Sequence, residues 1–116
     1  MEERRKHPRI EVDDKIFYVG VDQNNNLIDQ NIGSVLNVSQ EGVLLETPFA
    51  LDYEHLILFF SDYENKTAKV KGKIIHSHKN GSGCYKVGIN LLGSTNEKVD
   101  FIKRFIKNYH YKKKNG

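Results

Sequence analysis

Between Ala68 and Ile74 the side chains alternate without a break. Ala68, Val70, Gly72 and Ile74 fall on one side, and Lys69, Lys71 and Lys73 on the other. A period of two places such a stretch on a pleated strand with one dry face and one wet face. This segment therefore needs neighbouring strands that share its dry face. Tyr85, Val87, Ile89 and Leu91 repeat the alternation, and Asn80-Gly81, a tight-hairpin dipeptide, lies between the two runs.

Four more strands are legible upstream. Lys15–Val21 carries β-branched and aromatic residues at 16 to 19 and runs into the polar turn Asp22-Gln23-Asn24-Asn25-Asn26. Ile28–Val38 follows, with Gly33 read as a bulge. Gly42–Thr47 is ended by Pro48. His55–Phe60 is nearly continuous in apolar residues, which predicts burial on both faces or under a helix. The fifth strand is read over Lys66–His76. Past the sixth, Ser94 and Glu97 have capping-box spacing, and Val99, Ile102, Phe105, Ile106 and Tyr109 recur at helical intervals. The reading is an all-β fold: a six-stranded antiparallel barrel with one C-terminal α-helix. Residues 1–12 are expected to form a flexible arm, 13–110 the barrel and helix, and 111–116 a frayed basic tail.

A chain of 116 residues with 38% hydrophobic and 28% charged content suits one soluble domain. No apolar run nears the ~20 residues of a membrane helix, and no apolar segment follows the charged N-terminus as in a secretory signal. Cys84 stands alone, so a cytoplasmic location is expected. The net charge of +3 is unevenly spread. Arg4, Arg5, Lys6 and Arg9 make the beginning basic. Lys103, Arg104, Lys107, Lys112, Lys113 and Lys114 make the end basic, and the middle is acidic. That distribution argues against a nucleic-acid-binding barrel, which carries its positive charge on the barrel itself.

Enzyme signals are poor. The carboxylates are scattered, and Cys84 has no evident activating partner. His76-x-His78 puts two imidazoles on one strand face, which falls short of a metal site. Gly81-Ser82-Gly83 precedes no helix and reads as a hairpin turn rather than a phosphate loop. Two other features combine better. Arg5-x-x-x-Arg9 offers two forked, permanently charged guanidinium groups that suit phosphate or guanine O6 and N7. Asn37-Val38-Ser39-Gln40-Glu41-Gly42 is a polar turn between two strands, with short hydrogen-bonding side chains and a bare glycine.

Both features in this order, with 28 residues from Arg9 to Asn37, resemble the two-part signature of PilZ domains: RxxxR, then [D/N]xSxxG. Gly42–Thr47, the Lys69–His76 strand and Tyr85–Leu91 are also similar, so the resemblance covers residues 4–110. It implies a barrel that binds the bacterial second messenger cyclic di-GMP and signals to an unidentified downstream protein. Arg5 and Arg9 would grip phosphate and guanine, Asn37 and Ser39 a guanine edge, and Gly42 would keep the surface open to the purine. Arg4, a basic residue before the first motif arginine, is associated in this family with a stacked ligand pair, so one or two ligands per chain are implied. Asn90-Leu91 departs from the family, many of whose members have an aromatic there. Two alternatives stand beside this reading: a PilZ-like adaptor that binds no nucleotide, and a small nucleic-acid-binding barrel.

Overall fold

The computed structural model describes residues 8–115. Six strands run in chain order: β1 (Ile10–Val21), β2 (Leu27–Val38), β3 (Gly42–Thr47), β4 (His55–Ser61), β5 (Thr67–Lys79) and β6 (Tyr85–Leu91). One helix, α1 (Thr95–Asn115), follows. The strands close into a barrel in the order β1-β2-β3-β6-β5-β4, with every pairing antiparallel. Closure leaves no free sheet edge.

The alternation read from the sequence becomes the barrel's inside and outside. Tyr18, Val35, Leu45, Leu58, Val87 and Ile89 point inward and are at most 2% exposed. Helix α1 adds Phe101, Ile102 and Phe105 to this core and lies against β5 and β1. Phe60 receives it: its ring meets those of Phe101 and Phe105 edge-on, with centroids 5.4 and 5.3 Å away. The helix starts as its capping box predicts, with the Glu97 N–H donating to Ser94 Oγ at 3.1 Å.

Two of the turns use one device. In each, a backbone amide donates to the carbonyl of an aspartate three residues earlier, and the aspartate carboxylate accepts two further N–H groups. Asp22 accepts from Asn24 and Asn26, and Asp62 from Glu64 and Lys66. Asn25 and Asn65 take the left-handed conformation, at φ 63° and 61°, which asparagine tolerates. These bonds hold both carboxyls below the ordinary carboxylate value, chiefly through the N–H of Asn26 for Asp22 and of Lys66 for Asp62. Arg104 lowers Asp62 further.

Several boundaries differ from the sequence expectation. The barrel begins at Ile10 rather than residue 13, because β1 pairs Ile10 and Glu11 with Val38 and Asn37 across a bulge. Helix α1 runs through the expected tail to Asn115. Lys112 reaches Asp14 on β1 at 2.7 Å, and Tyr111 stacks on Tyr63 with centroids 4.2 Å apart, so tertiary contacts hold the last turns. Gly33 pairs regularly with Ile16, and the β2 bulges fall at Ile28 and Leu36 instead. Gly33 is needed for another reason: a Cβ there would lie 2.9 Å from Leu45 Cδ1 and 3.0 Å from the Glu46 carbonyl oxygen. Strand β4 meets the second of its two expectations: it lies under the helix through Phe60 and is not buried on both faces. It alternates buried and half-buried residues, with Ile57 and Phe59 facing outward.

Candidate functional site

The Asn37–Gly42 turn joins β2 to β3. Its geometry is set by Ser39, whose N–H donates to the Gly42 carbonyl at 2.8 Å and whose Oγ accepts from the Glu41 N–H at 3.4 Å. Glu41 is tied down twice. Its carbonyl accepts from the Leu91 N–H at 2.8 Å, and its carboxylate meets Lys98 of α1 at 3.0 Å. The turn is thus anchored to β6 and to the helix.

Arg9, just ahead of β1, donates from Nη1 to Asn37 Oδ1 at 2.9 Å. Two sequence features 28 residues apart therefore meet. The pairing of Glu11 with Asn37 across β1 and β2 explains why: a strand register delivers the end of the arm to the start of the turn. Arg9 is held in this arrangement rather than free. Arg4 and Arg5 lie outside the described residues.

A cleft of about 100 Å³ opens beside this contact. Arg9, Ser39 and Gly42 line one side, His76 and Ile75 of β5 line the other, and Gly88 and Asn90 of β6 lie between. Its floor is made by missing side chains. A Cβ on Gly42 would lie 2.5 Å from the Ile89 carbonyl oxygen, so β3 and β6 approach each other too closely for any side chain. The expectation that Gly42 keeps the surface open is thereby refined: the first demand on this glycine is strand packing, and the open floor follows from it. Gly88 plays a matching part, because the His76 ring lies where its Cβ would be.

His76 is the residue that sequence reasoning left on a plain surface strand. The bulge between Ile74 and His76 turns Ile75 outward to 60% exposure and aligns His76 with Gly88. The only sequence signal was a glycine inside the otherwise alternating β6 run.

The cleft offers a guanidinium, an amide, a hydroxyl, an imidazole, the Glu41 carboxylate and bare backbone, all on the outer surface of a closed barrel. Among the described residues no group of three His, Cys, Asp or Glu side chains is placed to hold a metal ion. Among them, too, no helix is long and apolar enough to cross a membrane.

The family model of the PilZ domain matches residues 3–108. The chain belongs to the PilZ family. Solved structures agree on the fold. This PilZ chain is similar to the K. pneumonia MrkH–c-di-GMP complex, at 13% identity and a TM-score of 0.63 over 99% of this chain and 57% of MrkH. It is similar to the Bacillus subtilis inhibitor of motility MotI/DgrA, at 11% identity and a TM-score of 0.66 over 91% of this chain and 51% of that one. It is similar to the PilZ domain with c-di-GMP of YcgR from Escherichia coli, at 12% identity and a TM-score of 0.62 over 95% and 94%. The chain thus spans about half the length of MrkH and MotI and nearly all of the YcgR domain. Comparison with curated protein sequences gives no match.

Proposed function

We propose that this chain is a non-enzymatic cytoplasmic receptor for cyclic di-GMP. Arg4, Arg5, Arg9, Asn37, Ser39 and Gly42 form the binding site. The observation that supports this most is the 2.9 Å bond between Arg9 and Asn37, because it joins the two halves of the PilZ signature beside a glycine-floored cleft. The MrkH and YcgR structures, which carry cyclic di-GMP, lend further support.

The Arg9–Asn37 bond acts as a placeholder. Ligand entry exchanges it for two stronger contacts. The Arg9 guanidinium turns to a phosphate or to guanine O6 and N7 in bidentate fashion. Asn37 Oδ1, released, accepts from the donor groups of a guanine edge, and Ser39 Oγ adds a bond. The purine lies against the floor at Gly42. Arg5 closes from the arm, and Arg4 admits a stacked second ligand. Charge-assisted bonds of ~1.5–3 kcal/mol each supply the binding energy. The reshaped surface of arm, ligand and barrel is then read by a partner protein.

Calorimetric titration with cyclic di-GMP tests this. Arg9→Ala should weaken binding by at least ~2 kcal/mol, roughly 30-fold, because a charged partner is lost from the site. Equal affinity for the wild type and Arg9→Ala would remove Arg9 from the site. Absence of binding by the wild type would leave the nucleotide-independent adaptor as the better reading.

A further inference from the structure

The cleft occupies one side of the barrel, and a second feature lies elsewhere on it. On β1, Phe17 is 48% exposed, and its β2 neighbour Ile32 is 46% exposed. Phe17 also pairs with Phe59 on β4, and the two rings stack with centroids 5.3 Å apart and planes 16° apart. Exposed Phe17 and Ile32 and half-buried Phe59 form an apolar ridge on a barrel whose other outward positions are mostly polar. Clustered exposed hydrophobics of this kind mark interaction surfaces.

A hollow lies on each side of the ridge. One, of about 420 Å³, is walled by Phe17, Ile32 and Phe59, with Gln30 and Asn31. The other, of about 410 Å³, opens between the ridge and helix α1 and is walled by Phe17, Ile32, Phe60 and Phe105. Both volumes fall within the ~300–1,000 Å³ range of small-molecule and side-chain pockets. The helix-side hollow also has a polar end. Asp14, Asn108 and Lys112 line it, and Asn108 is only 4% exposed. Asp14 Oδ1 is satisfied by the Lys15 N–H at 2.9 Å and by Lys112 Nζ at 2.7 Å. Asp14 Oδ2 is buried and has no hydrogen-bond partner among the described residues. That oxygen is shielded from solvent, so the polar end that the hollow presents is Asn108 with the Asp14–Lys112 ion pair, which calls for an apolar body with one polar group at its tip. Tryptophan and tyrosine have that form, and both are enriched as anchors at interfaces.

The rim supplies the second part of the argument. Lys15 borders the ridge on β1 and donates to the Ser34 hydroxyl at 3.0 Å. Lys69 on β5 stands beside Phe59 and is exposed. Lys112 closes the helix side, where its charge is matched by Asp14. Lys15 and Lys69 leave the rim of this apolar ridge positive, so its complement is negative.

We propose that the Phe17–Ile32–Phe59 face docks a partner protein through a tryptophan or tyrosine seated in the helix-side hollow, within an acidic segment that meets Lys15 and Lys69. This rests on the surface alone and not on the nucleotide reading, so the two can fail separately.

The test is a nuclear magnetic resonance titration of the isotope-labelled chain, without nucleotide. Three synthetic peptides serve as probes: one with a central tryptophan flanked by glutamates, one with phenylalanine in its place, and one with tryptophan flanked by lysines. The glutamate–tryptophan peptide should shift amides around Phe17, Ile32, Phe59 and Asn108. It should bind about tenfold more tightly than either other peptide, and Phe17→Ser should weaken it about tenfold, as expected for an interface anchor. Shifts confined to other faces, equal binding of the lysine-flanked peptide, or no shift at millimolar peptide would overturn the proposal. A homodimer that Phe17→Ser dissolves in sedimentation would assign the face to a second copy and overturn it as well.

Discussion

Two faces of this barrel are made by opposite means. On the β3–β6–β5 side, surface is created by removing side chains. Gly42 and Gly88 bring strand backbone and the His76 ring into contact, and polar groups gather at the margin. On the β4–β1–β2 side, surface is created by adding them: Phe59, Phe17 and Ile32 project outward from strands of the same regularity. The first face suits a flat, anionic, hydrogen-bonding ligand. The second suits an apolar anchor. On the readings proposed above, a closed barrel filled by its own core carries function on its outer wall, through the choice of outward residue.

Substitutions that treat the two faces differently separate these roles. The largest effect is expected at Gly42. Gly42→Ala drives a Cβ into the Ile89 carbonyl oxygen, a backbone atom with no room to move aside. It should cost roughly 2 kcal/mol of stability, as other overpacking changes do, and reduce cyclic di-GMP affinity as well. Gly81→Ala is its control, since nothing lies within 4 Å of a Cβ there. Thermal unfolding of the two variants measures the difference, and equal midpoints would contradict the close-approach account.

Next in size, Asn37→Ala should weaken cyclic di-GMP by about tenfold, in line with one lost hydrogen bond to a site of this kind, and leave stability nearly unchanged because its bond to Arg9 is exposed. Phe17→Ser should leave cyclic di-GMP affinity unchanged, and a loss of nucleotide affinity in that variant would mean that the two faces are not independent.

Tyr18 offers a smaller effect, inside the barrel. Its hydroxyl is buried and has no hydrogen-bond partner among the described residues. Tyr18→Phe should therefore stabilise the fold by about 1 kcal/mol at neutral pH. Burial, with the Asp29 carboxylate adding to it, pushes the Tyr18 phenol up to about 12. Since the folded value is the higher one, the stability linked to its protonation is complete below the ordinary value of 10.0 and is lost as the pH climbs through about 12. Tyr18→Phe should flatten that alkaline decline.

The smallest effect belongs to the aspartate turns. The Asp22 and Asp62 carboxyls are held below the ordinary value of 3.8, so their contribution is present above that pH and disappears as the pH falls through the lower folded values. Asp62→Asn should lower the unfolding midpoint slightly at pH 7 and soften its fall below about pH 4. A midpoint with the same acid dependence in both proteins would show that the turn bonds do not survive in solution.

Most of the fold could be read from the residues because barrel strands state their faces locally. The lysine alternation of β5, the Asn80-Gly81 hairpin and the Ser94–Glu97 cap all depend on near neighbours. What escaped depends on contacts distant in sequence. Lys112 and Tyr111 looked like a tail because Asp14 and Tyr63, which hold them, lie far back in the chain. Glycines misled for the same reason: Gly33 suggests a bulge, but its cause is Leu45 and Glu46 on the neighbouring strand. At the candidate site, Arg9, Asn37, Ser39 and Gly42 were legible as a spaced pattern. His76 was not, since only the β5 bulge sets it against Gly88.

The central claim is that arm and turn close together on a guanine dinucleotide. The most direct measurement is a heteronuclear magnetic resonance titration of the chain with cyclic di-GMP, GMP and cyclic di-AMP in parallel. Saturable shifts at Arg9, Asn37, Ser39 and Gly42 with cyclic di-GMP, and far weaker ones with the other two, are the result the account predicts. Unmoved resonances at these four residues under saturating cyclic di-GMP would contradict it.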